Sequence, residues 1–168
     1  RDGMTLGVSG FGAFASPDYV MEAMSRKFKE QNTPRDLTIV SGVAPGDFVE
    51  DGCGLSKIRD EGIIRTLIAS HLRMSPAIGR ACSENKIAAF SMPLGVYGQL
   101  LNAIGSKRPG IITHVGLNTY ADPRQDGCKM NALAKADGRE MVELIHVSGK
   151  DYLFYKAFHL SLIHISEP

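Results

Sequence analysis

The chain has 168 residues, of which 43% are hydrophobic and 22% are charged, and its 19 basic and 18 acidic side chains leave a formal net charge of +1. These values are typical of a globular domain with one core, and they give no reason to expect nucleic acid or a membrane as a partner. The three cysteines, Cys53, Cys82 and Cys128, are too far apart to predict a disulfide framework or a metal site, which favours a reducing, cytoplasmic location.

Apolar strand-like runs alternate with helical patterns from the beginning of the chain. The first strand is predicted over Met4–Ser9, and Pro17 begins a helix that Pro34 ends. Four apolar side chains at helical spacing should form the buried stripe of this helix: Val20, Ala23, Met24 and Phe28. The β-branched run Leu37–Val43 predicts a second strand, followed by an acidic, glycine-rich loop over 44–54 that we expect to be exposed.

The alternation continues with strands predicted over Ile63–Ser70, Lys86–Met92 and Gly110–Gly116. Helices are predicted to begin at Ser75 and after Pro93. Their inward-facing residues should be Ile78, Ala81, Cys82, Val96, Leu100, Leu101 and Ile104. Such an alternation indicates the α/β class, with a mainly parallel sheet between two layers of helices, a three-layer α/β/α arrangement.

The last part of the chain has a different pattern. The runs Glu140–Val147 and Tyr152–Phe158 alternate apolar and polar residues more regularly, which predicts an antiparallel edge or flap. Residues 159–168 have no turn chemistry that links them to the preceding run, and we expect them to be a non-native tail. The domain is therefore expected to occupy residues 1–158 and to be a fragment of a longer protein.

The stretch VSGFGAFASP places Gly10, Gly12 and Ala15 in the G-x-G-x-x-A spacing of a dinucleotide-binding loop. That fold also needs an acid at the end of the second strand, about 20 residues further on. Asp36 precedes the second strand and Asp47 lies beyond it, so a nicotinamide or flavin site is not favoured. The glycines predict instead that backbone amides are exposed at a strand end, where they suit an anion or an oxyanion.

Four stretches of the sequence carry a further pattern, in order and in register. They are DGMTLGVSGFGAFASP (2–17), GLSKIRDEGIIRTLIASH (54–71), MPLGVYGQLLNAIGSKRPGIIT (92–113) and VGLNTYADPRQDGCKMN (115–131). Together they resemble the amino-terminal half of family I CoA-transferases, in particular the fused, single-chain acetate or propionate CoA-transferases. The resemblance extends to about Phe158 and implies the same three-layer α/β/α fold.

The resemblance implies transfer of CoA from a short-chain acyl-CoA to a free carboxylate through a glutamyl-CoA thioester. Coenzyme A is then a substrate, no cofactor or metal is bound permanently, and the enzyme is a homo-oligomer. The family's nucleophilic glutamate belongs to a Glu-x-Gly motif in the carboxyl-terminal half. Five glutamates of this chain lack the apolar, glycine-rich frame of a nucleophile: Glu50, Glu61, Glu84, Glu140 and Glu143. We therefore expect no catalytic residue here, and no activity from this segment alone.

The same resemblance implies a set of CoA-pocket residues. Gly10, Phe11 and Gly12 would expose backbone near the acyl group, with Leu94 and Gly95 beside them. Many family members carry glutamine at the position of Leu94, where a side-chain amide helps to hold the oxyanion. Because leucine donates no hydrogen bond, that role is lost here or passes to backbone amides.

The remaining polar residues favour structural roles. His71 is the best-placed single histidine for chemistry, but a structural, hydrogen-bonded histidine is the favoured interpretation because no catalytic partner is recognisable. His114 is expected in the core and His146 on the surface. Asp122 and Arg124 either clamp a phosphate or form a turn-stabilising pair, which is favoured.

Three residues near the end of the last matching stretch have no assigned role. Lys129 and Asn131 are either ligand contacts or structural residues, and the sequence does not distinguish these roles. Cys128 occupies a position that the resemblance gives to glycine, and we expect it to be inert. Two other functions also remain open: a sugar-phosphate isomerase or phosphate-binding module on the related α/β fold, and a non-catalytic acyl-CoA-binding partner.

Overall fold

The computed structural model describes residues 1–164, which form two sheets flanked by helices. Within these residues the strands are β1 (Thr5–Val8), β2 (Leu37–Val40), β3 (Ile64–Ala69), β4 (Ala88–Ser91), β5 (Gly110–Thr113), β6 (Val142–Val147), β7 (Lys150–Lys156) and β8 (Leu162–His164). The helices are α1 (Asp18–Gln31), α2 (Pro76–Ser83), α3 (Leu94–Gly105) and α4 (Ala132–Ala136), with a 3₁₀ helix at Gly54–Ile58. None of the helices described is long and apolar enough to cross a bilayer.

The larger sheet is parallel throughout and has the strand order β4-β3-β2-β1-β8. Successive side chains of a strand point to opposite faces of the sheet. Ile39 and Leu67 therefore enter one apolar cluster, whereas Val40 and Ile68 enter a second one on the other face. Burying such a side chain contributes about 1.5–3 kcal/mol, and all four residues of β2 and five of the six residues of β3 are buried, as expected of strands covered on both faces.

Helices cover both faces of this sheet, so the predicted three-layer α/β fold is confirmed. On one face, Met21 of α1 and Ile78 of α2 pack with the strands and with the 3₁₀ helix. On the other face, Val96 of α3 and Ala134 of α4 pack with the strands and with Leu153 of β7. The main core therefore consists of two apolar layers separated by the parallel sheet.

Helix α1 is stabilised at both ends by local chemistry. Pro17 precedes it, and Asp18 places a carboxylate in the first turn, where it interacts favourably with the helix dipole. The helix ends at Asn32, which is left-handed with φ 57° and donates its backbone N–H to the Phe28 carbonyl at 2.7 Å. Asparagine tolerates this conformation better than most residues do.

The buried stripe of α1 differs from the predicted one. Met21 and Ser25 are buried, Met24 and Phe28 are partly buried as predicted, and Val20 is 53% exposed. The expectation for Val20 was wrong because α1 packs against the 3₁₀ helix as well as against the sheet. Because of this second contact, the buried face of α1 is centred about one residue later in the sequence than predicted.

The loop over residues 44–54 was predicted to be exposed, and for its first three residues and for Gly54 this was wrong. Residues 44–46 are buried, and a Cβ atom on Gly46 would overlap the Met74 carbonyl. The exposed part of the loop is its tip, where Phe48 and Val49 are both more than half exposed. Glycine at position 46 allows the loops that follow β2 and β3 to touch through their backbones.

The smaller sheet is antiparallel, with the order β5-β7-β6. The β6–β7 hairpin confirms the predicted antiparallel flap. Strand β5 was expected in the main sheet, but it pairs with β7 instead. Its four residues are partly exposed, with Ile112 at 58%, whereas the four residues of β2 and of β4 are all buried. A short apolar run does not reveal which strand it will pair with.

The outer edge of β4 is covered by residues 128–131. The backbone N–H of Ser91 donates to the Cys128 carbonyl at 2.8 Å, and that of Met130 donates to the Ala89 carbonyl at 2.9 Å. These bonds satisfy backbone groups that would otherwise be free to pair with another chain.

Asn131 completes this cover with its side chain. Its Oδ1 atom accepts from the backbone N–H of Ala89 at 3.2 Å and caps α4 by accepting from Ala134 at 3.0 Å. Its Nδ2 atom donates to the carbonyls of Cys82 and Ile87, both at 2.7 Å. Asn131 is therefore a structural residue that joins α2, β4 and α4.

We expect Asn131→Ala to lower the free energy of unfolding by about 2–4 kcal/mol, because it removes a helix cap and leaves two backbone carbonyls without their donor. Urea unfolding of the purified chain measures the change. Asn102→Ala, an exposed position on α3, is the matched control and should change stability by less than about 0.5 kcal/mol. Equal effects of the two substitutions would contradict this role.

The predicted Asp122–Arg124 pair is confirmed. Asp122 is fully buried, and its carboxylate accepts from the backbone N–H groups of Asn118 and Arg124 and from the Arg124 side chain, whose Nη2 lies at 2.7 Å. Arg124 also contacts Asp151 at 3.1 Å. The Arg124 hydrogen bonds hold the pKa of Asp122 well below its usual value, so the pair fixes the turn.

This shift predicts how stability depends on pH. Because the carboxyl pKa of Asp122 is lowered in the folded state, its contribution is complete well above its ordinary pKa of 3.8 and is lost as the pH falls below that value. Wild type and Asp122→Asn should therefore differ by a constant amount above about pH 5 and should converge at lower pH. Urea unfolding from neutral to acidic pH tests this, with the exposed Glu30→Gln as control. A difference that does not depend on pH would contradict the assignment.

Candidate functional site

The carboxyl ends of β1, β2, β3 and β4 lie at one edge of the main sheet because these strands are parallel. Strands β2, β3 and β4 follow each other to one side of β1, and β8 lies on its other side. Ligands of open α/β sheets bind at this edge, next to the strand where the order reverses. That strand is β1, so the segment after Val8 is the first place to look for a site.

The segment after β1 forms a tight hairpin. Phe11 and Phe14 exchange two backbone hydrogen bonds of 3.1 Å. Gly10 and Gly12 have φ values of 129° and 62°, conformations that favour glycine. The two phenylalanine side chains are 63% and 82% exposed. The hairpin therefore presents backbone and two aromatic rings beyond the sheet edge.

This hairpin is attached to the loop that follows β2. The Gly46 N–H donates to the Gly12 carbonyl at 3.1 Å, and a Cβ atom on Gly10 would lie 3.4 Å from the Cβ of Pro45. Asp18, at the start of α1, accepts from the Gly54 N–H at 2.8 Å. The hairpin, the loop after β2 and the first turn of α1 are thus held together by backbone contacts.

Leu94 and Gly95 form the first turn of α3, which begins where β4 has ended. Leu94 is 51% exposed, and its Cδ1 atom is 3.3 Å from the place that a Cβ of Gly42 would occupy. The ring of Tyr97 lies equally close to Gly42, and burial raises the pKa of its hydroxyl to about 12. Pro93 precedes the helix and provides no side-chain cap, so the first N–H groups of α3 are not satisfied by a capping side chain.

A row of serines, which the sequence analysis did not identify, connects the strand ends. Ser41 donates to the Val8 carbonyl at 2.8 Å, Ser70 donates to the Gly42 carbonyl, and Ser91 donates to the Ser70 carbonyl at 3.0 Å. Each hydroxyl satisfies a carbonyl of the neighbouring chain segment just beyond the sheet. A signal existed in the sequence, because the strand runs end as TIVS, LIAS and AFS.

The predicted pocket residues fall into two groups at the same sheet edge. Gly10, Phe11 and Gly12 lie in the hairpin after β1, and Leu94 and Gly95 lie in the first turn of α3. Residues 42–46 connect the two groups, since Gly42 contacts Leu94 and Gly46 binds Gly12. The assignment of these five residues to a CoA pocket stays a prediction.

In the part of the chain that the structure describes, Glu50 and Asp47 of the loop after β2 are both engaged by other groups. Glu50, Asp51 and Gly52 match the letters Glu-x-Gly, but the Glu50 carboxylate is ion-paired with Arg80 on the surface. Asp47 uses its carboxylate to accept from the backbone N–H groups of Val49 and Cys53, both at 3.2 Å. Within residues 1–164 no group of three acidic, histidine or cysteine side chains is placed to hold a metal ion.

The three histidines considered in the sequence analysis are all exposed. His114 was predicted to be buried, but it lies beyond the end of β5 and is exposed. The expected exposure of His146 is confirmed, and its ring contacts Asp151 at 3.1 Å. His71 is also exposed, and its backbone carbonyl accepts from Ala44 at 3.1 Å.

Cys128 and Lys129 have structural surroundings. Cys128 is fully buried and has φ 69°, which explains why the family pattern has glycine there. Burial raises the pKa of its thiol to about 12, which disfavours the reactive thiolate and supports the expectation that Cys128 is inert. Lys129 is ion-paired with Glu140 at 2.6 Å.

The arrangement suits the chemistry of carbonyl groups. It combines exposed backbone at the Gly10–Gly12 hairpin, the amino end of α3 and apolar side chains such as Phe11 and Leu94. Backbone N–H groups that are fixed before a reaction stabilise an oxyanion as it develops, and an apolar surrounding strengthens this effect.

Comparison with known proteins agrees with this chemistry. A family model described as coenzyme A transferase matches residues 1–167. Caffeate CoA-transferase of Acetobacterium woodii is 40% identical over 161 residues, which are 96% of this chain and 30% of that protein. Acetate CoA-transferase YdiF of Escherichia coli K12 is 36% identical over 157 residues, 93% of this chain and 29% of that protein.

Solved structures give the same result. The acyl-CoA transferase YdiF from Escherichia coli O157:H7, crystallised as a thioester complex with CoA, superposes with a TM-score of 0.88 at 33% identity. The match covers 97% of this chain and 31% of that one. The chain thus spans about 30% of the length of the caffeate and acetate CoA-transferases named above. Because the family model extends over nearly all of its residues, the chain belongs to the coenzyme A transferase family.

Proposed function

We propose that this chain forms one side of the active site of an enzyme that transfers CoA from a short-chain acyl-CoA to a free carboxylate of the acetate or propionate class. The observation that carries the proposal is the hairpin after β1, which exposes Gly10 and Gly12 at the carboxyl edge of the sheet in a chain of this family. Two relatives, a caffeate and an acetate CoA-transferase, support a carboxylate as acceptor.

The proposed reaction proceeds through a glutamate. Its carboxylate attacks the thioester carbonyl, the C–S bond breaks, and CoA leaves as a thiolate while an acyl-glutamyl anhydride forms. The thiolate then attacks the glutamyl carbonyl, which releases the acyl group as a carboxylate and leaves a glutamyl-CoA thioester. The acceptor carboxylate reverses both steps. Covalent catalysis of this kind divides one difficult exchange into easier ones.

In the proposed reaction, this chain contributes hydrogen-bond donors to the oxygen of the reacting carbonyl group. Each attack on a carbonyl produces a tetrahedral intermediate with an oxyanion, and backbone N–H groups are suitable donors to it. The Phe11 N–H is used by the Phe14 carbonyl. We therefore assign this role to the N–H groups of Gly10 and Gly12 and to the first turn of α3 at Leu94 and Gly95. Leu94 contributes an apolar contact and no side-chain donor.

The nucleophilic glutamate is proposed to come from residues beyond this segment. The site edge described above has no free glutamate, since Glu50 is paired with Arg80. Four large apolar side chains stand exposed on the loops of that edge: Phe11, Phe14, Phe48 and Val49. Exposed apolar patches of this kind mark interaction surfaces. We propose that the rest of the enzyme, in an oligomer, packs against them and closes the site.

The full-length protein should therefore exchange CoA between propionyl-CoA and acetate, whereas the chain of 168 residues alone should show no turnover. Acetyl-CoA formation, followed by chromatography, measures both. Sugar phosphates, offered as control substrates, should not be isomerised. Absence of thioester exchange by the full-length protein would reject the proposed reaction.

Gly95 allows a sharper test of the site. A Cβ atom there meets nothing within 4 Å in this chain, and alanine favours a helix over glycine. Gly95→Ala should therefore retain or raise the thermal midpoint, but it should lower kcat/KM about tenfold or more if CoA passes this turn.

Gly105→Ala is the matched control, because Gly105 has the same open surroundings at the opposite end of α3. This control should keep kcat/KM within about twofold of wild type. If Gly95→Ala behaved like Gly105→Ala, Gly95 would not belong to the pocket.

A further inference from the structure

Tyr120 lies at the same sheet edge, outside the set of predicted pocket residues. It belongs to the turns between β5 and α4, and its backbone carbonyl accepts from the Cys128 N–H at 3.1 Å. Its side chain is 46% exposed. The hydroxyl reaches the carboxyl end of β4, where the Oγ atom of Ser91 is 3.3 Å away. Tyr120 therefore places a phenol next to the residue that ends β4.

The hydrogen bonds of the three serines determine which bonds the Tyr120 hydroxyl can still form. The protons of Ser41, Ser70 and Ser91 are all directed to backbone carbonyls of neighbouring segments. Ser91 is 3.0 Å from the Ser70 carbonyl and 3.3 Å from the Tyr120 hydroxyl, so the tyrosine oxygen receives the weaker branch of a shared bond. Because Ser91 is the donor in this contact, the Tyr120 proton is not used there, and the hydroxyl makes no other hydrogen bond to residues 1–164. It is left to donate outward from the sheet edge.

Leu94, at the start of α3, has no side-chain donor comparable to the Tyr120 hydroxyl. Leu94 begins α3 three residues after Ser91, and its side chain is apolar and half exposed. A hydroxyl oriented by a second hydrogen bond donates well to an oxygen that gains negative charge, because little reorganisation is needed. The Tyr120 hydroxyl thus lies at the sheet edge, is oriented by Ser91 and has a proton available for a ligand.

We propose that the Tyr120 hydroxyl donates a hydrogen bond to an oxygen shared by all substrates, the thioester carbonyl or the carboxylate, and is a substrate-binding residue. This inference rests on the proposed CoA transfer. The oxygen is common to every acyl group, so Tyr120 contributes to the rate and does not select among acids. Its ring can be kept while the donor is removed, which makes the role testable.

The test is Tyr120→Phe in the full-length protein, assayed with propionyl-CoA and a series of acids such as acetate, propionate and butyrate. We expect kcat/KM to fall by roughly 10- to 100-fold and by the same factor for each acid, with an unchanged thermal midpoint. Tyr152→Phe, on the outward face of the small sheet, is the control and should stay within about twofold of wild type.

Three results would overturn the inference: activity of Tyr120→Phe within about twofold of wild type, a loss matched by a lowered thermal midpoint, or a loss that depends on the acid. The second would assign Tyr120 to folding, and the third would place it against the acyl chain. A wild-type protein that transfers no CoA to any acid would reject the proposed function itself, and this inference with it.

Discussion

The parallel register of β1, β2, β3 and β4 is the constraint on which the rest of the structure depends. It brings four strand ends to one edge although the residues that follow them lie far apart in the chain. Each end has backbone carbonyls that the sheet does not pair. The hydroxyls of Ser41, Ser70 and Ser91 satisfy several of them, as buried carbonyls require. The hydrogen bonds that satisfy the last carbonyls of the sheet therefore also fix the positions of the loops at the site edge.

Close backbone contact is the second feature that shapes this edge. Gly46 meets Met74, and a Cβ on Gly54 would overlap the Pro45 carbonyl. Side chains at these positions would separate the loops after β2 and β3 and move the hairpin that Gly46 holds through Gly12. Apolar rings stand outside this rigid frame. A fixed backbone beneath exposed apolar groups suits a site that is completed by another part of the enzyme.

Much of the fold was predictable because strong local signals agreed with it. Strands β1, β2, β3 and β4 lie within the predicted runs, and α1 and α3 begin directly after Pro17 and Pro93, whereas no strand was predicted where β8 lies. The errors have a common origin in packing between distant elements. Val20 faces solvent because the 3₁₀ helix receives the opposite side of α1, and His114 is exposed because β5 pairs with β7. Periodicity in the sequence indicates that a residue is buried, but it does not indicate which element packs against it.

By itself, the sequence determined the α/β class, the family and the exposed glycine hairpin, because each depends on residue types at short spacing. Tertiary structure alone decided which groups meet at the sheet edge. It joined Asn131 to three elements and brought Tyr120 to Ser91 across 29 positions of the chain. These contacts follow from strand order and loop packing, and no local pattern encodes them. The chemistry of the edge is therefore a product of the fold, built on glycines that the sequence already displayed.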